Sequence, residues 1–282
     1  MCRLMIIVLL LTQVALLVLP SSGFAEDWAE TMPSKVELQR KTLLLNVAVA
    51  SGILVWGVAN WDYFQTSPRA SKEEWFGHGT DEGGADKIGH IYTTYIASRA
   101  FRQAYLSWGY EEEKAGRLGV LSALWAVTLM EVGDSFSGDF GFSYEDLLMN
   151  VVGAGFGYLM VVNPDLDRKL DLRAEYLPEF GSEFEFDFFT DYEHIKYVLA
   201  VKADGFDSVT NPWLKYLELH LGYYTRNYDD FKSDGSDRRK RVLYVGLGLN
   251  VGKLLERWVK VPVFDYLQVP YTYLPLERNF DH

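Results

Sequence analysis

The chain has 282 residues, 49 % of them hydrophobic and 15 % aromatic, and a formal net charge of -12. Acidity on that scale excludes a surface built to hold nucleic acid, or one that adheres to anionic lipid through charge alone. The single cysteine, Cys2, leaves no pair for a disulfide and no thiolate metal cage.

Met1-Cys2-Arg3 opens a leader whose apolar run, Leu4 to Leu19, is followed by small residues at Gly23 and Ala25. This is the pattern of a Sec-type signal peptide over 1–25, cleaved after Ala25; the run is short against the roughly 20 residues of a membrane span. Cys2 precedes the run, whereas a lipidation cysteine would follow it. An exported chain without disulfides fits a bacterial envelope, in the periplasm and associated with the inner or outer membrane.

The remaining sequence reads as α+β, an apolar bundle of about four helices over 26–170 followed by a small antiparallel β region over 171–282. Helices are predicted over 41–61, 85–108, 111–136 and 143–162, the last stopped by Asn163-Pro164. Leu43 to Ala59, Leu118 to Met130 and Leu147 to Val162 carry almost no charge, which makes each a marginal membrane span or a buried core helix. Gly153 and Gly157 add a spacing that lets another helix approach closely. These features, with 18 Tyr and 8 Trp in the chain, point to contact with a membrane.

After Leu172 the period changes to two. Strands are predicted at 183–189, 194–202, 216–224 and 242–251, with the polar stretch from Asn227 to Arg241 as a hairpin loop. One face of each is apolar and the other mixed. Four or five strands fall short of the ~8 that close a membrane barrel in one chain, so a small packed sheet is expected.

The polar residues set into the apolar helices are the candidates for chemistry. Asp86 and His90 stand four apart on one helix face, as a carboxylate orienting an imidazole or as a helix cap beside a core histidine. Lys87 lies between them. Glu131 and Asp134 sit at a helix C-terminus, where the dipole disfavours acids, so a cation, His90 or Lys87 should compensate them. Ser143 and Asp146 have the spacing of a capping box, and Asn150, one turn deeper, must find a partner if buried. Asp139 lies in a small polar loop nearby. A zinc site of several imidazoles would need His78 from the Gly-rich loop. An oxygen-rich set of Asp86, Glu131, Asp134 and Asp146, with or without His90, would suit Mg or Ca. No nucleotide or cofactor fingerprint is present in the sequence.

In these residues the chain resembles a family of predicted periplasmic proteins, often lipoproteins, classed as a domain of unknown function. The shared marks are the Asp86-Lys87-xx-His90 helix, the acidic helix end at Glu131 to Asp134, and the element from Phe142-Ser143 through Asp146 and Asn150 to Gly153. The same order is similar to VanZ-like membrane proteins, although the arginine that often precedes the Ser-Asp element there has no counterpart in 137–142. The resemblance implies an envelope setting and no transferable reaction. Three readings stand together: a structural polar cluster of Asp86, Lys87, His90, Ser143, Asp146 and Asn150 in a membrane-associated bundle; a hydrolase on a lipid or cell-wall substrate with His90, Glu131 and Asp134 as catalytic groups; and a module that binds a lipid or another envelope component.

Overall fold

The structure, a computed structural model, describes residues 33–138, 140–178, 190–229, 231, 236–258 and 262–281. The predicted leader with Cys2, Asp139 and the predicted strand at 183–189 lie outside the described residues. The chain forms two compact units, one taking the residues up to Ser71 and Thr94–Tyr158, the other Lys72–Thr93 and Leu159–His282. The chain passes between the units three times: after Ser71, within the helix Ala85–Ser107 and within the helix Tyr144–Val162.

The first unit is helical. α1 (Lys35–Asn60) begins where the Ser34 hydroxyl accepts the Glu37 amide at 3.2 Å, filling an orphan N-terminal donor. α2 (Ala85–Ser107) contributes its C-terminal half; α3 (Glu112–Asp134) and α4 (Tyr144–Val162) complete the bundle. One side of α1 packs on a core of Phe101, Tyr105, Tyr110, Ala115, Ala123 and Ala126. The polar tips of that core are paired: Thr42 with the Tyr110 hydroxyl, and Asn46 Nδ2 donating to the Tyr105 hydroxyl, both at 2.9 Å. Tyr63, just past α1, is 2 % exposed, and its ring lies against Gly57 and Gly133 so closely that a Cβ at either would fall on ring atoms. Two-residue strands β1 (Ala70–Ser71) and β2 (Phe142–Ser143) pair in parallel beside the start of α4.

The other side of α1 is bare. Leu43, Leu44, Val47, Val55 and Val58 are all exposed, and only 6 % of the most apolar stretch of this helix is buried. α1, α3 and α4 are each long and apolar enough to cross a membrane by length and composition.

The second unit holds the first turns of α2, the short helices α5 (Pro164–Asp167) and α6 (Val251–Leu255), and an antiparallel sheet of five strands in chain order: β3 (Leu170–Tyr176), β4 (Ile195–Lys202), β5 (Leu217–Arg226), β6 (Lys240–Leu249) and β7 (Tyr273–Asn279). The α+β class is therefore as expected. The predicted strands at 194–202, 216–224 and 242–251 correspond to β4, β5 and β6 with small shifts at their ends; β3 and β7 lie outside the predicted strands. The free edge of β3 is met by the segment before β7, with the Ala174 amide donating to Tyr266 and the Gln268 amide to Ala174, at 3.0 and 2.9 Å. Gln268, beside β3, also donates from Nε2 to the Thr272 hydroxyl at 2.9 Å, one residue before β7, so the two edges of the sheet come near each other at that end.

The distribution of side chains on this sheet is inverted relative to a water-soluble packed sheet. Asp171, Arg173, Glu175, Glu218, His220 and Tyr244 face inward and are all buried. The alternate leucines and valines of β5, β6 and β7 face outward and are exposed.

Candidate functional site

The structure places the candidate residues in three groups, one in the first unit and two in the second. In the first unit, α3 supplies Glu131, α4 supplies Asp146 and Asn150, and α2 supplies Thr94. Asn150, with no exposed surface, accepts from the Thr94 hydroxyl at 2.9 Å and donates from Nδ2 toward Glu131 Oε1 at 3.5 Å. Glu131 and Asp146 are 2 % and 4 % exposed, and a carboxylate oxygen of one lies within 4.8 Å of one of the other. Two acids that close repel unless they share a proton or face a cation. Asn150 thus has the buried partners that its position required.

Ser143 is the residue before α4, and its hydroxyl accepts the Asp146 amide at 3.2 Å, so the capping spacing is realised. The same hydroxyl donates to Glu145 Oε2 at 3.4 Å. Glu145 itself has no exposed surface, and its Oε1 lacks a hydrogen-bond partner among the described residues. An acid in the first turn of a helix reads as a dipole complement in solvent, which is why sequence reasoning passed over it.

Asp134, expected beside Glu131, lies beside the Tyr63 phenol. Burial, then the neighbouring Asp134 and Glu131 charges, push the Tyr63 hydroxyl well above its ordinary range. The Tyr63 hydroxyl donates to the Met130 carbonyl at 3.1 Å.

In the second unit, the start of α2 buries Lys87 to 1 % exposure. Its ammonium is held by Glu73 at 2.6 Å and by Asp86 at 2.7 Å, so the charge is neutralised twice. Glu73 comes from the loop before α2, and no sequence spacing could reveal it. His90 is half-buried on the same helix, one turn before Thr94 and on the same face. The first turns of α2 are anchored to the sheet by Tyr92, which donates to the Tyr266 carbonyl at 2.8 Å and meets the Tyr197 ring at 5.7 Å.

His78 belongs to a third arrangement. Its Nε2 lies 3.1 Å from both Asp237 oxygens, and its Nδ1 lies 3.0 Å from Asp281. Arg239 and Arg241 bind the same two acids. The hydrogen bonds from Arg239 and then His78 hold the Asp237 carboxyl well below the usual range. This is a surface lock between the loop before α2 and the ends of β6 and β7.

Residues 72–162 match the family described as predicted periplasmic lipoprotein DUF2279. The matched segment contains Glu73, Lys87, His90, Glu131, Ser143, Asp146 and Asn150. No curated protein and no solved structure matches the chain. The family description supports an exported, periplasmic envelope protein.

Proposed function

We propose that this envelope protein is seated in a membrane by its helical unit, with the Thr94–Asn150–Glu131 network fixing how α2, α3 and α4 pack in an apolar setting. The observation that carries the reading is the bare apolar side of α1, together with the span-like composition of α3 and α4. In hydrocarbon, apolar burial no longer drives helices together, and hydrogen bonds between buried polar side chains take over part of that work. An ionisable residue such as Glu131 in a membrane-seated helix then needs a partner from a neighbouring helix, and Asn150, itself held by Thr94, supplies one. The VanZ-like order of motifs belongs to this proposal as well.

Alkaline carbonate washing of membranes from cells that express the full chain tests it. The wild-type protein is expected to stay with the pellet, and Leu44→Ser, Val47→Ser, Val55→Ser and Val58→Ser combined to move it toward the supernatant. Wild-type protein that washes off completely overturns the reading.

The closeness of the Glu131 and Asp146 carboxylates favours a second role, in which the cluster holds a divalent cation through oxygen ligands. Metal analysis by native mass spectrometry in mild detergent decides it. A stoichiometric metal that disappears in Glu131→Gln establishes the cation site and gives the hydrolase alternative its premise. Metal-free protein reduces the cluster to a packing lock.

A further inference from the structure

Strands β5 and β6 are each 10 residues long, and their side chains alternate strictly between the two faces of the sheet. On the outer face the register aligns Leu221 with Val245 and Val245 with Leu276, and Leu219 with Leu247 and Leu247 with Leu274. These six form two rows across three strands, and their exposures run from 45 % to 81 %. A soluble protein rarely leaves so contiguous a patch of large aliphatic groups in water.

The inner face explains why turning the sheet over would not help. Arg173 is 3 % exposed, and its guanidinium meets Glu218 at 2.8 and 3.0 Å, Gln268 at 3.2 Å and Asp171. His220 Nε2 lies 2.9 Å from Glu218, and Lys202 reaches Asp171 at 2.6 Å. Gly222 and Gly248 open the space into which the Tyr244 and His220 rings fit. The polar network fills the rolled sheet, so the aliphatic rows have nowhere to go but out.

We propose that this outer face lies against the hydrocarbon of a membrane, with Trp213, Trp258 and Tyr271 at the boundary with water. Polar-in and apolar-out alternation on strands of about 9–11 residues is the arrangement that lipid selects in β proteins. The composition of the patch separates lipid from a protein partner. Protein interfaces concentrate aromatic residues, Met and Arg at their centre, whereas the centre here is leucine and valine alone. The aromatics stand beyond the strand ends: Trp213 before β5, Trp258 after β6 and Tyr271 before β7, which are 78 %, 77 % and 89 % exposed. By the strand register all three flank the same end of the sheet. Aromatic rings at one rim of an aliphatic band are what a headgroup boundary favours. Net acidity plays no part, so neutral lipid should suffice. The face is carried by the sheet unit alone and is independent of the seat assigned to α1.

The test uses the full chain in a Cys2→Ser background, which leaves no native thiol. Single cysteines at Leu247, at Lys72 (exposed on the same unit) and at Val47 of α1 are labelled with a polarity-sensitive fluorophore. Each is mixed with phosphatidylcholine vesicles, with and without nitroxide on the acyl chains. The expected result is a blue shift and nitroxide quenching for Leu247→Cys and neither for Lys72→Cys. Leu247→Cys emission that stays unshifted and unquenched overturns the proposal. So does unlabelled Leu247→Cys protein that oxidises to a disulfide dimer as readily with vesicles present as without them, which would make a second copy the occupant. Val47→Cys reports separately on the helical seat, so a positive result there beside a negative Leu247→Cys sinks this proposal alone.

Discussion

Replacing Asn150 by leucine removes one bridging side chain while keeping its branched shape and its number of heavy atoms, so no cavity is left and the cost is chiefly one of hydrogen bonding. The Asn150 amide is buried completely and serves the Thr94 hydroxyl, itself without exposed surface, and the Glu131 carboxylate at 2 % exposure. A buried polar group that loses its partner costs about 1–3 kcal/mol, and two groups are affected here, so the loss should be about 2–6 kcal/mol. For a chain of this size that corresponds to roughly 5–15 °C in Tm. Thermal unfolding of the full chain in mild detergent, followed by near-ultraviolet circular dichroism, measures it. Thr94→Val on top of Asn150→Leu should add little, because the hydroxyl has already lost its acceptor; the two effects should fall short of additivity by about 1 kcal/mol. Asn150→Leu melting within about 1 °C of wild type, or full additivity of the pair, would refute the account of the network.

Gly133→Ala forces a methyl group onto the Tyr63 ring and should cost about 1–3 kcal/mol, with most of the penalty absent in a Tyr63→Leu background, as paired melting curves would show. Arg173→Met strips the counter-charge from buried Glu218 and Asp171, an expected loss of about 3–5 kcal/mol; Arg173→Met combined with Glu218→Leu and Asp171→Leu should recover much of it, and urea titration of the variants checks both statements. Burial raises the Asp281 carboxyl, but hydrogen bonds and charge from Arg241 outweigh it and hold the group below its ordinary value. A depressed carboxylate stabilises the fold fully above the unfolded value of about 3.9 and loses that contribution as pH falls through the folded one. Asp281→Asn should therefore lower Tm at neutral pH and make progressively less difference as the pH drops below about 4, and a constant difference across that range would contradict the assignment.

The legibility of this chain follows from the type of signal each element carries. α2, α3 and α4 have long apolar runs with a polar start and a Pro or Gly stop, and their limits fall within about two residues of those read from the sequence. β5 and β6 alternate leucine with polar or small residues and were visible for the same reason. β3, read as Asp171-Leu172-Arg173-Ala174-Glu175, also alternates, but its charges point to the buried side, so the rule that charge faces water misassigns it. β7 contains Pro275, which suits an edge position and obscures a strand in the sequence. At the candidate site, spacing within one helix made Asp86, Lys87, His90 and the Ser143–Asp146 cap conspicuous. Glu73 and Thr94 reach their partners from a loop and across a helix–helix contact, and neither leaves a local pattern.

The matched family is described as predicted periplasmic lipoproteins. A single acyl chain gives only marginal attachment in any case, and an envelope protein held at a membrane ordinarily needs a second contribution. On the proposals made above, the apolar side of α1 and the outer face of β5 to β7 are two surfaces that would supply it. Neither is a core that lost its cover. α1 already has a packed side built around Tyr105 and Tyr110, and the sheet already has a filled interior around Arg173 and Glu218. Each element therefore buries a polar or aromatic face inside its unit and keeps aliphatic side chains outside. That choice raises free energy in water and lowers it in hydrocarbon, by about 25 cal/mol for each Å² of apolar surface transferred. On the two proposals made above, hydrocarbon outside α1 and outside the sheet would be the setting in which both choices stabilise the chain.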